Sequence, residues 1–305
     1  MIVAALLLAC GDTPSTEKPG SYPLDDVLTV FDLQAEGTHN SYHIAVEDGI
    51  PLFAYTHEPL SIQLSQQGVR QFELDVNYID GQIEVFHAPV IDDLTTCAFL
   101  ADCLGQIRQF TDNNPGHHPL MVHVEPKTPL DQMDADAFYT DLEAELSSEI
   151  GENRIIYPED VVATGWPTLG ESRGKVIFVL LDGGEHRDFY RSWGDLLFLE
   201  GHPDDGALVA RRDDPFDIAS ISEALDAGML IRTRADTDGE EAAAGDYSRF
   251  EAALASGAHF ISTDFPGPTD LDYFIEIPDG TPSRCNPVTA PESCENLALE
   301  DPDLL

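Results

Sequence analysis

Positive charge is scarce in this chain. Among its 305 residues only 15 are lysine or arginine, three of them lysine, whereas 57 are aspartate or glutamate. The formal net charge of −42 argues against a nucleic-acid partner, because a phosphate backbone requires a positive protein face. It also argues against strong electrostatic docking on an anionic membrane. The excess of carboxylates indicates a highly solvated acidic surface, with a calcium-buffering surface as the less favoured alternative.

Long apolar runs are also absent, and no stretch is long enough to span a bilayer. Residues 1–9 are apolar and end in Leu-Leu-Ala-Cys-Gly, which resembles a bacterial lipoprotein signal that lipidates Cys10, although the usual basic segment is missing. A generic short secretory signal is the alternative. We expect a signal at 1–10, a flexible tether at 11–24, and an exported protein anchored to the membrane of the bacterial cell envelope through Cys10.

Cysteine is sparse, and the four that remain beyond Cys10 form two locally spaced pairs. In an exported protein Cys97–Cys103 and Cys285–Cys294 are the simplest of three possible disulfide connectivities. A cysteine metal site is the alternative, but the chain has no Cys-x-x-Cys spacing.

The body of the chain alternates short apolar runs with helical patterns, which predicts an α/β fold. Strands are predicted at 30–37, 69–76, 83–87, 119–125, 175–181, 195–200, 229–234 and 258–264. Helices are predicted at 58–67, 102–113, 134–150, 217–227 and 246–256. This order predicts a (β/α)8 barrel at 25–276, with one helix missing at the tight 76–83 turn and a disulfide-held extension at 277–305. We expect a monomer.

Functional residues of such a barrel lie at the carboxyl ends of its strands. The candidates, in strand order, are His39 and Asn40 (first), Glu73 and Asp75 (second), His87 (third), Glu125 (fourth), Arg232 and Arg234 (seventh) and Asp264 (eighth). Strand alternation puts Glu73 and Asp75 on one face, and likewise Glu125 with Lys127. If these faces point inward, carboxylates, histidines and cations meet at one mouth.

This mixture of side chains suits phosphodiester cleavage. Two histidines, here His39 and His87, can take a proton from the nucleophile and give one to the leaving oxygen near neutral pH. Charge that develops on the phosphoryl oxygens requires a cation. Calcium prefers carboxylate and amide oxygens, and Asn40, Glu73, Asp75 and Glu125 form such a ligand set. The other histidines, including His43 and His123, are expected to pack or to support the site.

Five motifs in a fixed order carry a family resemblance. They are Gly-Thr-His-Asn-Ser-Tyr-His (37–43), Phe-Glu-Leu-Asp-Val (72–76), Phe-His-Ala-Pro (86–89), Val-His-Val-Glu-Pro-Lys (122–127) and Ile-Arg-Thr-Arg-Ala-Asp (231–236). Together, from about residue 30 to 275, they resemble the bacterial calcium-dependent phosphatidylinositol-specific phospholipase C family, a branch of the phospholipase C-like phosphodiesterase superfamily.

The resemblance implies a role for each matched residue. His39 resembles the general base on the inositol 2-hydroxyl, and His87 the general acid for the diacylglycerol oxygen. Calcium would be held by the four-residue set named above. Substrate contacts are implied for Lys127, Arg232 and Arg234, and Asp264 would orient a histidine. The product would be a cyclic inositol phosphate.

Two alternatives remain open at this stage. Glycerophosphodiester phosphodiesterases also carry a Glu-x-Asp pair and a second histidine, but they typically have His-Arg where this chain has His39-Asn40. Their substrates would be soluble phosphodiesters. The other alternative is a surface lipoprotein that binds calcium or a ligand without catalysis. The substrate is therefore a phospholipid or a small phosphodiester.

Overall fold

The structure is a computed structural model that describes residues 22–46, 54–237, 239–279 and 282–304. Cys10 and residues 11–21 of the predicted tether lie outside these ranges, so the signal and the lipid anchor stay predictions. Among the described residues no helix is long and apolar enough to cross a membrane.

Ten strands lie in the described ranges and form one sheet. They are β1 (Leu33–Thr38), β2 (Gln71–Ile79), β3 (Gln82–Val85), β4 (Leu120–Pro126), β5 (Val176–Leu180), β6 (Phe198–Leu199), β7 (Val209–Arg211), β8 (Leu230–Arg234), β9 (Phe260–Thr263) and β10 (Ser283–Cys285). Eight of them are parallel neighbours in the order β6-β5-β4-β2-β1-β9-β8-β7. A single parallel bridge between Glu200 and Val209 joins the two ends. The predicted (β/α)8 barrel is confirmed.

Helices cover the outside of the barrel. They are α1 (Leu60–Gln66), α2 (Leu100–Asn113), α3 (Ala135–Ile150), α4 (Pro158–Thr164), α5 (Leu169–Ser172), α6 (Glu185–Trp193), α7 (Ile218–Asp226), α8 (Glu240–Ala244), α9 (Ser248–Ser256) and α10 (Asn296–Leu299). Each of the five predicted helices corresponds to one of these. The α3 helix begins at Asp134, whose side chain accepts a hydrogen bond from the Ala137 amide and so caps the helix.

The predicted strand at 83–87 forms, as β3, but the prediction that it is the third strand of the barrel is wrong. Strand β3 instead runs antiparallel to β2 in a hairpin that turns at Asp80 and Gly81, both with positive φ. The barrel strand that the sequence missed is β7, which has only three residues. The sequence also predicted the wrong place for the connection that lacks a helix. Helix α2 follows the hairpin, whereas the connection from β6 to β7 contains only the 3-10 turn Pro203–Asp205 among its described residues.

Alternation along the strands separates the core from the site. In β2 the side chains of Phe72, Leu74 and Val76 pack with apolar residues of α1, α2 and α3. The intervening Glu73 and Asp75 therefore point into the barrel. Burial of each large apolar side chain stabilises the fold by about 1.5–3 kcal/mol. The outer face of the strand thus fixes the register that aims the carboxylates inward.

The carboxyl-terminal segment packs on the opposite end of the barrel from the strand carboxyl ends. Strand β10 pairs antiparallel with β1, and both predicted disulfides, Cys97–Cys103 and Cys285–Cys294, are confirmed. The buried carboxylate of Glu300 accepts hydrogen bonds from Arg70 Nε and Nη2 and from the His118 amide. Because Arg70 precedes β2 and His118 precedes β4, this ion pair joins the end of the chain to the amino-terminal pole of the barrel.

Candidate active site

The mouth of the barrel collects most of the residues that the sequence singled out. His39 and Asn40 follow β1, Glu73 and Asp75 lie in β2, and Glu125 lies near the end of β4. Lys127 follows β4, and Asp264 follows β9. Parallel strands end at the same pole, so these side chains meet there.

His39 is held by a carboxylate on one side and faces another. Its Nδ1 lies 2.7 Å from Oδ1 of Asp264, and its Nε2 lies 3.8 Å from Oε1 of Glu73. Burial alone would raise the pKa of Asp264, but Arg234 and His39 outweigh it and hold that pKa well below its usual range. Asp264 is therefore an anion that accepts the Nδ1 proton of His39. The His39 side chain is 23% exposed, so its Nε2 can reach a ligand at the mouth.

The backbone after His39 is tied to the neighbouring strand. Asn40 adopts φ 44°, a left-handed conformation that asparagine tolerates better than most residues. Next to it, the Ser41 amide donates to the Glu73 carbonyl, while the Ser41 hydroxyl accepts from the Glu73 amide. The Asn40 side-chain nitrogen donates to the Tyr55 hydroxyl over 3.1 Å. Within the described ranges the side-chain oxygen of Asn40 accepts no hydrogen bond, so it can serve as a ligand.

Three carboxylates form a cluster whose ligand oxygens all lie within 4.8 Å of one another: Glu73, Asp75 and Glu125. Burial alone would raise the pKa of Glu73, but Arg232 and His39 lower it to about 2. The Lys127 ammonium lies 3.0 Å from Asp75 Oδ2 and 2.7 Å from Glu125 Oε1. Burial alone would lower the pKa of Lys127, but the charges of Asp75 and Glu125 outweigh it and raise that pKa.

Asp75 is the member of the cluster whose surroundings satisfy it least. Its Oδ2 is ion-paired with Lys127 over 3.0 Å, whereas within the described chain its buried Oδ1 has no hydrogen-bond partner. Burial, followed by the charge of Glu125, raises the pKa of Asp75 well above its ordinary value, although Lys127 opposes this. A hard divalent cation suits these oxygens, because calcium prefers carboxylate and amide ligands. Glu73, Asp75 and Glu125 therefore fit such an ion, and the Asn40 oxygen, on the strand next to β2, is a candidate fourth ligand.

The second histidine is positioned by a residue that the sequence analysis missed. His87 Nδ1 lies 2.8 Å from Oδ2 of the buried Asp92, whose Oδ1 lies 2.7 Å from His43 Nε2. His43 Nδ1 in turn donates to the Tyr55 carbonyl. Burial lowers the pKa of His87 and the charge of Lys127 adds to this, whereas Asp92 opposes both. Asp92 belongs to no recognised motif, and only a tight turn with paired backbone bonds between Ala88 and Asp92 returns it to His87.

A comparison with models of protein families identifies the family of this chain. A family model described as "Phosphoinositide phospholipase C, Ca2+-dependent" matches residues 78–287. The chain belongs to this family. It is therefore an enzyme of the phosphoinositide phospholipase C type, a phosphodiesterase. A comparison with curated protein sequences gave no match.

Solved structures of bacterial phospholipases share the barrel of this phospholipase C family member. The calcium-dependent enzyme from Streptomyces antibioticus is 17% identical with a TM-score of 0.56, covering 79% of this chain and 96% of that one. The calcium-dependent enzyme from a Pseudomonas species is 16% identical with a TM-score of 0.54, covering 88% and 99%. A phosphatidylinositol-specific enzyme from Staphylococcus aureus is 14% identical with a TM-score of 0.56, covering 83% and 92%. At these identities the likeness supports the fold.

Two arginines that the sequence assigned to substrate lie behind the carboxylates of this phospholipase C family member. Arg232 is buried, and its guanidinium donates over 2.6 Å to Glu73 Oε2 and over 2.5 Å to Asp213 Oδ1. Arg234 is also buried and donates over 2.8 Å to Asp264 Oδ2. Both arginines therefore support the site. Each holds in place a carboxylate that faces His39 and favours the ionised form of that carboxylate.

Proposed function

We propose that this enzyme cleaves a phosphatidylinositol-type phosphodiester in a calcium-dependent reaction, forming a cyclic inositol phosphate and diacylglycerol. One observation carries the proposal: a cluster of three carboxylates lies at the barrel mouth beside a histidine held by its own carboxylate. The glycerophosphodiester alternative gains no support from the site, because asparagine follows His39 in place of the arginine typical of those enzymes, and its amide nitrogen is bound to Tyr55.

His39 would act as the general base. Because Asp264 accepts the Nδ1 proton, the unprotonated nitrogen of a neutral His39 is Nε2. This nitrogen takes the proton from the inositol 2-hydroxyl, whose oxygen then forms a bond to phosphorus. Arg234 holds Asp264 from behind and so limits rotation of the imidazole. The imidazolium that forms is stabilised by the Asp264 and Glu73 carboxylates.

His87 would act as the general acid. The bond between its Nδ1 and Asp92 turns Nε2 away from that carboxylate. A proton on Nε2 passes to the diacylglycerol oxygen as the bond from phosphorus to this oxygen breaks. Proton transfer of this kind contributes about 10²–10⁴-fold to a rate. After one turnover His39 carries a proton and His87 lacks one, and exchange with solvent restores both.

Calcium would be held by Asn40, Glu73, Asp75 and Glu125. When bound, it would supply positive charge that lowers the pKa of the attacking hydroxyl and offsets charge on the phosphoryl oxygens. Lys127 adds a cation at the same place, because it spans Asp75 and Glu125 and is 23% exposed. Arg232 keeps Glu73 ionised, because burial alone would raise the pKa of that carboxyl and the charge of Arg232 lowers it.

The proposed location is the bacterial cell envelope, with the protein exported and anchored through a lipid on Cys10. Two disulfides in the described part of the chain support an oxidising compartment. An anchor of this kind would hold the mouth of the barrel near a lipid substrate even though the net charge of −42 is repelled by anionic lipid.

Product analysis tests the proposal. Vesicles of phosphatidylinositol in neutral lipid are incubated with protein and calcium, in parallel with glycerophosphoinositol, and the phosphorus products are identified by NMR. We expect cyclic inositol phosphate from the vesicles and a rate about 10²–10⁴-fold lower for His39→Ala with unchanged thermal unfolding. Glycerol phosphate from the soluble substrate, with intact lipid, would overturn the assignment.

A further inference from the structure

Tyr55 is a buried tyrosine, outside all of the sequence motifs, that contacts both halves of the site. Only 6% of it is exposed. Its hydroxyl accepts a hydrogen bond from Asn40 Nδ2 over 3.1 Å, and its backbone carbonyl accepts one from His43 Nδ1 over 2.9 Å. His43 in turn contacts Asp92, the carboxylate that holds His87. One residue therefore touches a candidate calcium ligand through its side chain and the acid half of the site through its backbone.

The aromatic ring of Tyr55 is packed on several sides. Between ring centroids it lies 4.4 Å from His43, 5.3 Å from His57 and 6.5 Å from Phe265. Phe265 and Tyr273 belong to the same apolar cluster as Tyr55. Pairs of aromatic rings prefer defined geometries, so these neighbours restrict how the ring can turn. The packing of the ring therefore fixes the position of the hydroxyl at its end.

The Asn40 amide needs a partner of this kind, because its own side chain does not fix its orientation. The last torsion of an asparagine side chain is broad and roughly two-fold, so the amide oxygen and nitrogen can exchange places. Only the oxygen can bind a hard cation, since the nitrogen is a donor. The bond from Nδ2 to Tyr55 leaves Oδ1 for the rest of the site. Ser41, the next residue, exchanges two hydrogen bonds with Glu73, which places Asn40 beside the strand that carries the carboxylates.

The hydroxyl of Tyr55 has a second contact at the mouth, which is the weaker of the two. It lies 3.4 Å from Nδ1 of His39, but that nitrogen already lies 2.7 Å from Oδ1 of Asp264. A hydrogen bond to a carboxylate is about twice as strong as one between neutral groups. The orientation of His39 therefore depends on Asp264. In contrast, the Asn40 side chain has no hydrogen-bond partner other than Tyr55 among the described residues.

We propose that Tyr55 is a positioning residue for calcium, whose hydroxyl holds the Asn40 amide with its oxygen toward the ion. This inference rests on the proposed function, in which Asn40 is a calcium ligand, and it deepens that function by naming the residue that prepares the ligand before the ion binds. A ligand that is already oriented loses less conformational freedom on binding, so the affinity is higher. Tyr55→Phe isolates this effect, because it keeps the ring and the backbone carbonyl and removes only the hydroxyl.

The test measures calcium affinity by calorimetry in Tyr55→Phe, in Asn40→Ala and in the double variant. We expect Tyr55→Phe to bind calcium about 3–10-fold more weakly, the effect of losing one neutral hydrogen bond, and Asn40→Ala to lose at least as much. Because Tyr55 acts through Asn40, the double variant should bind calcium no more weakly than Asn40→Ala alone. Tyr273→Phe is the matched control. It removes a hydroxyl of the same apolar cluster that contacts Ala235 and Asp236, and it should leave the affinity unchanged.

Three results of the calorimetry would overturn the proposal. The first is wild-type affinity in Tyr55→Phe. The second is losses that add in the double variant, because the hydroxyl would then act apart from the amide. The third is wild-type affinity in Asn40→Ala, because the ligand that Tyr55 is proposed to orient would not bind the ion. All three leave calcium binding by the wild type intact, whereas a wild type that binds no calcium would overturn the calcium dependence of the proposed function as well.

Turnover at different calcium concentrations separates positioning of the ligand from a merely structural role. In Tyr55→Phe the calcium concentration that gives half of the maximal rate on phosphatidylinositol should rise about 3–10-fold. At saturating calcium its kcat should come within about twofold of the wild-type value, and its metal-free form should unfold thermally like metal-free Tyr273→Phe. A loss of kcat that excess calcium does not restore would assign the hydroxyl to His39 or to the fold and would overturn the proposal.

Discussion

Replacement of Asp92 by asparagine should reveal how strongly the orientation of His87 depends on this carboxylate. Asp92 is buried, and its two oxygens lie 2.8 Å from His87 Nδ1 and 2.7 Å from His43 Nε2. The amide keeps the shape of the carboxylate but loses its charge and one acceptor. His87 should then lose both its fixed orientation and the charge that favours its protonated form.

The expected loss follows from the type of bond removed. A hydrogen bond to a charged group contributes about 1.5–3 kcal/mol. If His87 needs this bond only to reach the leaving oxygen, kcat on phosphatidylinositol falls about 10–100-fold, because about 1.4 kcal/mol corresponds to a factor of ten. Asp92 also raises the pKa of His87, so its neutralisation lowers that pKa. Since the acid must be protonated, the alkaline limb of kcat/KM shifts to lower pH.

The assay pairs the lipid with an inositol phosphate ester of p-nitrophenol. A nitrophenolate leaves without a proton, so Asp92→Asn should lose little activity on the ester while losing about 10–100-fold on the lipid. Asp93→Asn is the control, because Asp93 is exposed and adjacent. An equal loss on both substrates, or an alkaline limb that does not move, would refute the assignment of His87 as an acid positioned by Asp92.

Three further predictions concern the base, the cation and the fold. Asp264→Asn should lower kcat by about 10²-fold or more without a matching change in KM, measured on phosphatidylinositol vesicles, because His39 loses the acceptor that fixes its tautomer. Asp75→Asn should weaken calcium affinity, measured by calorimetry, at least about tenfold, since a buried charged ligand is lost. Glu300 has a pKa lowered from 4.5 to about 2, because Arg70 and His118 outweigh the effect of burial. It should therefore contribute about 3 kcal/mol of stability above pH 4.5 that is lost as the pH falls toward 2, measured by urea unfolding across this range.

Each of these predictions has a matched comparison. Asp93→Asn should leave kcat and calcium affinity unchanged. Glu292 is exposed and lies in the same carboxyl-terminal segment as Glu300, so Glu292→Gln should leave the loss of stability at acid pH unchanged. Glu300→Gln should remove that loss. Wild-type kcat in Asp264→Asn would contradict the role of His39. Wild-type calcium affinity in Asp75→Asn would contradict the ligand set. A stability curve of Glu300→Gln that still falls between pH 4.5 and 2 as in the wild type would contradict the buried ion pair.

Strand alternation made much of this site predictable. Glu73 and Asp75 are separated by one apolar residue, and a single assumption, that apolar side chains face the helices, turns both carboxylates inward. The same reasoning predicted that Glu125 and Lys127 share one face of their strand. The chain positions of His39 and Asp264, at the ends of the first and last barrel strands, also placed them at neighbouring points of a closed barrel.

Other features depend on contacts that a local pattern does not carry. Strand β3 alternates Ile83 and Val85 with polar residues just as a barrel strand does, so only its pairing with β2 reveals a hairpin. The three residues of β7 are too few to give a periodic signal. Asp92 reaches His87 only through a turn. Glu300 lies in the carboxyl-terminal segment, and its partner Arg70 comes 230 positions earlier in the chain, so no local pattern connects the two residues.

The most direct test of the central claim is a single calcium experiment on phosphatidylinositol cleavage. Release of cyclic inositol phosphate is followed while an excess of chelator is added and calcium is then restored. We expect release to stop with the chelator and to resume with calcium, because the single charge of Lys127 does not balance the three clustered carboxylates of Glu73, Asp75 and Glu125. Undiminished release in excess chelator would contradict the claim that these carboxylates hold an ion on which the reaction depends.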